Sequence, residues 1–108
     1  MDTFEILPLD SPPGFRLVGE LDMATVPKLE DALADWDTSK PCTLDMHDLS
    51  FMDGSTAHVL LRHARAMNGA GPLVLEGPTG LPLRVLDVLG FADVEDIRIR
   101  SVSVIHDG

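Results

Sequence analysis

The chain has one cysteine, Cys42, few basic residues, and no apolar run long enough to cross a bilayer. Each shortage excludes something. A lone thiol cannot build an internal disulfide framework, and it suits a reducing compartment. Lysine is confined to Lys28 and Lys40, and the remaining basic residues are arginines. Eight Lys and Arg stand against 18 Asp and Glu, for a formal net charge of −10. Nucleic-acid phosphates and anionic membrane surfaces reward clustered Lys and Arg, so the expectation is no nucleic acid and no membrane as partner. A spanning helix needs about 20 consecutive apolar residues, and no run approaches that. The opening Met1-Asp2-Thr3-Phe4-Glu5 is acidic where a signal peptide would be basic. There is no G-x-x-x-x-G-K-[ST] loop, no G-x-G-x-x-G after a strand, no paired-cysteine metal motif and no H-E-x-x-H. These absences point to a cytoplasmic domain with no cofactor and no metal, whose partners are proteins or small molecules.

The 108 residues, 44% of them hydrophobic, suffice for one domain with its own core, taken as residues 1–108. Gly and Pro punctuate the chain at 11–14, 41, 69–72, 77–78, 80 and 90, and the pattern between them alternates between strand and helix periods. Phe4 to Leu7 reads as a short strand. A turn over Asp10 to Gly14 leads into a second strand with Phe15, Leu17 and Leu21 on one face. Val26, Leu29, Leu33 and Trp36 recur at helical steps, with Thr25 as N-cap and Pro27 in the first turn. Cys42, Leu44 and Met46 alternate with Thr43, Asp45 and His47 in a strand that ends near Met46. Ala57, Leu60, Leu61, Ala64 and Met67 make the inner stripe of a second helix, closed by Asn68-Gly69, and His58, Arg62 and Arg65 make its outer stripe. Leu73-Val74-Leu75 reads as a strand covered on both faces. Leu81 to Leu89 reads as a third helix ending at Gly90, packed through Val85 and Leu89. Ile97 and Ile99 alternate with arginines in a last strand. The alternation changes phase near Ser101, which leaves residues 102–105 as a bulge, an edge continuation or a tail. The order β-β-α-β-α-β-α-β predicts an α/β domain with a mixed sheet and helices mainly on one face.

The most informative stretch runs from Leu44 to Ala57. Phe51 and Met52 enter the core there, and Asp53-Gly54-Ser55-Thr56 follows at a helix start. One reading is that Asp53 or Ser55 caps the helix. The other is that an exposed hydroxyl is modified by another protein. Asp45, His47, Asp48 and Asp53 are suitable metal ligands by type, but residues on alternate faces of a strand cannot all converge. Glu20 and Asp22, where a strand hands over to a helix, either cap and solvate or sit on the rim of a binding face. The His58, Arg62 and Arg65 stripe is a solvated helix face or a local basic strip that orients a partner.

Three segments resemble the STAS domain of bacterial anti-sigma-factor antagonists, which is also found as a tail on sulfate transporters. Gly19-Glu20-Leu21-Asp22-Met23-Ala24-Thr25 resembles the family's GELD-x-AT block. Leu44 to Asp53 resembles its strand-loop block, which ends in Phe-hydrophobic-Asp. Gly69 to Leu75, followed by Leu83 to Phe91, resembles its closing strand-helix block. The resemblance implies partner switching. The unmodified antagonist binds an anti-sigma factor, usually a serine/threonine switch kinase of the histidine-kinase-like ATPase class, and so frees a sigma factor. Phosphorylation of a Ser or Thr at the start of the second helix ends the complex, and a metal-dependent phosphatase resets it. The family run is Asp-Ser-Ser-Gly, with the first Ser the usual acceptor. Here Gly54 stands at that position, Ser55 matches the second Ser, and Thr56 replaces the Gly.

The resulting expectation is a regulatory module that is not an enzyme. Ser55 and Thr56 are its phosphoacceptor candidates. Its partner-binding face comprises Asp22, Thr25, Asp53, Gly54, Ser55, Thr56, His58 and Arg62. The first alternative is a STAS-like adaptor that is never phosphorylated and sits in a larger regulatory assembly. The second is an enzyme or receiver-like domain that uses an acidic cluster with Mg²⁺. The opening β-β unit and the lack of any lysine after Lys40 speak against the second.

Overall fold

The computed structural model describes residues 3–67 and 69–100. The strands are β1 (Phe4–Asp10), β2 (Pro13–Leu21), β3 (Thr43–Met52), β4 (Leu73–Glu76) and β5 (Ile97–Arg100). The helices are α1 (Val26–Ala34), α2 (Gly54–Ala66) and α3 (Gly80–Val88), and a single 3-10 turn at Phe91–Asp93 precedes β5. The five strands lie side by side in sequence order. β1 pairs antiparallel with β2, and β2, β3, β4 and β5 are mutually parallel. Every parallel crossover therefore steps in the same direction. Right-handed crossovers that all step one way lay their helices on one face of the sheet.

Burial along the strands agrees. Leu17, Leu44, Met46, Leu73, Leu75 and Ile97 face inward and are buried, joined by Leu29, Leu33, Leu60, Ala64 and Leu86 from the helices. The opposite face carries a cross-strand ladder. Arg16 lies 3.3 Å from Asp45, Asp45 is register-paired with Glu76, and Glu76 lies 3.4 Å from Arg100. This corrects the expectation for β4: Leu73 and Leu75 are covered, whereas Val74 and Glu76 look out from the open face. A short apolar run cannot by itself distinguish one covered face from two.

Three other elements differ from expectation. The β1–β2 hairpin is tighter, since Asp10 pairs directly with Pro13. β3 runs on to Met52. Two register shifts against β2 carry its inward positions from Met46 to Leu49 and then Met52, a spacing of three that hides a strand from period-two reading. In α3, Leu86 is buried in place of Leu89, which stands exposed at the helix end. Trp36 lies beyond α1 and packs edge-on against Phe15, ring centroids 5.4 Å apart, with its indole N–H donating to Lys40 O. Gly19 is a requirement of β2. Its φ is +102°, and a side chain there would run into the Thr3 carbonyl. Asn68, expected in a helix stop, and residues 101–108, expected to hold a bulge, an edge continuation or a tail, lie outside the described residues. Among the described residues, no helix is long and apolar enough to cross a membrane.

Candidate functional site

The parallel strands β2 and β3 both end at the same edge of the sheet, and each hands over to a helix there. At the end of β2, Asp22 folds back on itself. Its Oδ1 accepts from Ala24 N (2.9 Å) and Thr25 N (3.1 Å), and its carbonyl accepts from Val26 N (2.8 Å). The Thr25 hydroxyl donates to Glu20 O at 2.8 Å and accepts from Asp22 N at 3.0 Å. Thr25 therefore stands at the N-cap position of α1 without capping it by its side chain. It ties the loop to the end of β2, and the Asp22 carbonyl takes Val26 N, the first orphan N–H of α1.

At the end of β3, Asp53 is a true N-cap. It is extended, and its Oδ1 accepts from Ser55 N (3.1 Å), Thr56 N (3.3 Å) and the Ser55 hydroxyl (2.6 Å). The Ser55 hydroxyl bond is foremost in holding this carboxyl below its ordinary range. Partial burial opposes it, and the Thr56 and Ser55 N–H groups reinforce it. One acceptor joins the two handovers: Leu21 O receives Asp53 N at 3.2 Å and the Thr56 hydroxyl at 3.3 Å. The Asp22 loop and the start of α2 thus form one rim.

The structure sorts the sequence-predicted residues on that rim. Thr56 is wholly buried with its hydroxyl engaged on Leu21 O, so it presents nothing to a kinase or a partner. This corrects its place among the acceptor and contact candidates: the last residue of the Asp53–Thr56 run faces the core because α2 turns it there. Ser55 is half-exposed and Gly54 exposed. A side chain at Gly54 would meet open space, so nothing in the fold demands glycine. His58 and Arg62 are exposed on the same helix face as Ser55. Arg62, however, is tied to Glu30 of α1 at 2.9 Å, which offsets its charge. Asp22, Thr25 and Asp53 are half-buried on the rim, and their side chains also hold it together from within.

Sequence reasoning missed Met23. It stands 77% exposed in the Asp22–Thr25 turn, an apolar side chain on the rim. Its place inside the GELD-x-AT-like block was the available signal. Elsewhere, Asp45 and His47 meet at 2.6 Å on the open sheet face. Partial burial pushes Asp45 up, but the hydrogen bonds and charge of His47, with help from Arg16, outweigh it and hold the carboxyl low. Asp48 and Asp53 do not join them: among the described residues no three His, Cys, Asp or Glu side chains come together as a metal-binding group.

Compared with known families, residues 9–100 match the family model described as Mlab, STAS domain. No curated protein matches the chain.

Proposed function

Because the chain belongs to the STAS domain family, we propose that it acts as an anti-sigma-factor antagonist, a binding module without catalytic activity of its own. As a STAS domain it is a regulatory protein-interaction module. In the proposed role it works in the bacterial cytoplasm. It docks an anti-sigma factor, a serine/threonine switch kinase of the histidine-kinase-like ATPase class, through the rim formed by the Asp22–Thr25 turn and the start of α2. Docking frees the sigma factor. The observation that supports this most is the double use of Leu21 O, which fixes exposed Met23 and half-exposed Ser55 on one rigid edge. An apolar anchor beside a modifiable hydroxyl is what a reversible protein contact needs.

Ser55 is the proposed acceptor. Its hydroxyl oxygen takes the γ-phosphoryl of ATP, the hydroxyl proton leaves, and ADP is released. The phosphate adds about −1.5 to −2 charge at neutral pH. The helix N-terminus favours it by about 0.3–1 kcal/mol, while Asp53 repels it, so the fold changes little. The docked partner must desolvate a dianion and lets go. A metal-dependent phosphatase would restore the hydroxyl. The second reading, an adaptor that is never phosphorylated, is favoured by two features: Gly54 occupies the usual acceptor position, and Ser55 already donates to Asp53 at 2.6 Å.

The test is incubation of the purified chain with the switch kinase and Mg-ATP, followed by mass-spectrometric mapping and a pull-down. Label is expected on Ser55 in wild type and absent in Ser55→Ala. Ser55→Glu should stay folded and fail to bind. If wild type binds without label while Gly54→Ser is labelled at position 54, the adaptor reading replaces the switch. The absence of both binding and label would overturn the anti-sigma role altogether.

A further inference from the structure

The third helix turns an apolar stripe to solvent. At about 100° per residue, Leu81, Val85, Val88 and Leu89 fall within one arc of about 100° on α3 and its C-terminal end; Leu89 borders the buried Pro82, and Val85 also packs partly against the core. Val88 is 78% exposed, Leu89 48% and Leu81 44%, and Val85 is half-buried. These account for three of the five large apolar side chains that stand exposed among the described residues. Arg84 and Asp87 are exposed on a single flank of the stripe, and among the described residues neither side chain is in an ion pair. Scattered surface apolar residues are ordinary, but a continuous stripe edged by unpaired opposite charges is not.

We infer that α3 is the seam of a symmetric homodimer, in which the α3 helices of two copies pack antiparallel. A two-fold axis crossing the pair between Val85 and Leu86 brings Arg84 of one copy level with Asp87 of the other on the same flank. It does so twice, because the axis repeats every contact. The same axis sets Leu81 within about 1.5 Å of the level of the second copy's Leu89 and places the two Val85 side chains next to each other. The stripe is thus complementary to itself in both its apolar and its charged positions, which makes a second copy the occupant it fits. Each copy carries net −10. At physiological ionic strength that repulsion is screened with a Debye length of about 8 Å, so contact is governed by the groups at the seam. The seam is one short helix wide, well below a standard interface, so the dimer is weak and concentration-dependent. It lies apart from the rim built by Asp22–Thr25 and the start of α2, and it does not depend on what that rim binds.

Sedimentation equilibrium on the full chain, from low micromolar to near-millimolar concentration, tests the seam. Wild type should shift from monomer to dimer across that range. Val88→Asp should weaken dimerisation by about tenfold or more, converting an apolar contact into a buried charge. Arg84→Asp and Asp87→Arg should each remain monomeric, since each sets like charges against one another. Mixed one to one, however, those two variants should form a heterodimer, because each then meets its opposite at both positions. All of these positions are exposed, and circular dichroism confirms that each variant is folded. A wild type that stays monomeric throughout overturns the seam. So does a dimer indifferent to Val88→Asp, and so does a mixture of the two charge variants that fails to associate.

Discussion

Asp53 shows how one side chain can set both a structure and a chemical opportunity. Its Oδ1 satisfies two N–H groups that α2 cannot satisfy internally, and it also holds the Ser55 hydroxyl. That last bond fixes the direction in which the hydroxyl points. Cys42 is the opposite case, a reactive group kept idle. It is buried at the mouth of β3, and burial pushes its thiol up to about 12, so at neutral pH it carries no thiolate. Iodoacetamide should therefore leave Cys42 unmodified in the native protein and alkylate it once urea unfolds the chain, as read by intact mass. Rapid native alkylation would mean that the start of β3 opens readily. At this scale the sequence revealed residue types more readily than directions. Asp53-Gly54-Ser55-Thr56 was legible as a helix start with hydroxyls. Which hydroxyl faces out was not, because that depends on the phase of α2 against the sheet, which places Thr56 over Leu21 O. Met23 escaped notice for a related reason: whether an apolar residue between a strand end and a helix start is exposed depends on how the turn is folded.

At the scale of elements, the helix with the longest apolar period was the most legible. Ala57, Leu60 and Ala64 on α2 and Met67 just past its end are all buried as their spacing requires, and Leu61 is partly so. Val59 and His63 join them, because a helix lying in the middle of a sheet face buries more than one stripe. α3 was harder. It has apolar residues on nearly every side, so periodicity could not say whether Leu86 or Leu89 faced the sheet. The difference is measurable. Leu60→Ala should destabilise the fold by about 2–5 kcal/mol, since it removes a fully buried side chain. Leu89→Ala should change stability by less than about 0.5 kcal/mol. Urea melts that rank these two the other way would place α3 on the wrong face. β3 was legible only to Met46, because its two register shifts break the alternation from which a strand is read.

For the whole molecule, the order of elements made the architecture legible from sequence. One hairpin followed by three strand-helix handovers leaves a mixed sheet with one covered face as the natural outcome. Nothing in that order foretold how the fold would respond to acid, which depends on a histidine read only as an unmarked position in α2. His63 is 93% removed from solvent (7% exposed), its Nε2 has no hydrogen-bond partner, and burial lowers its pKa below the ordinary 6.5. The unfolded chain thus takes up a proton near pH 6.5 that the folded chain refuses. Stability that is full above that value is therefore lost as pH falls through it toward the lower folded pKa. The carboxylates of Asp45 and Asp53, and of Asp37 held low first by the Ser39 hydroxyl, act later. Their contribution is present above the ordinary 3.8 and disappears as pH falls through their depressed folded values. Acid destabilisation should therefore come in two stages. Protonation across the whole surface also relieves the repulsion of a chain at net −10, but wild type and a single-site variant share that effect equally. The comparison with His63→Gln isolates the first stage. Urea midpoints measured across the acid range should decline between about pH 7 and 5 in wild type, stay nearly flat there in His63→Gln, and fall together below about pH 4. Parallel decline in both proteins between pH 7 and 5 would mean that His63 is not the group refusing the proton, and that the folded state hydrates or pairs its ring.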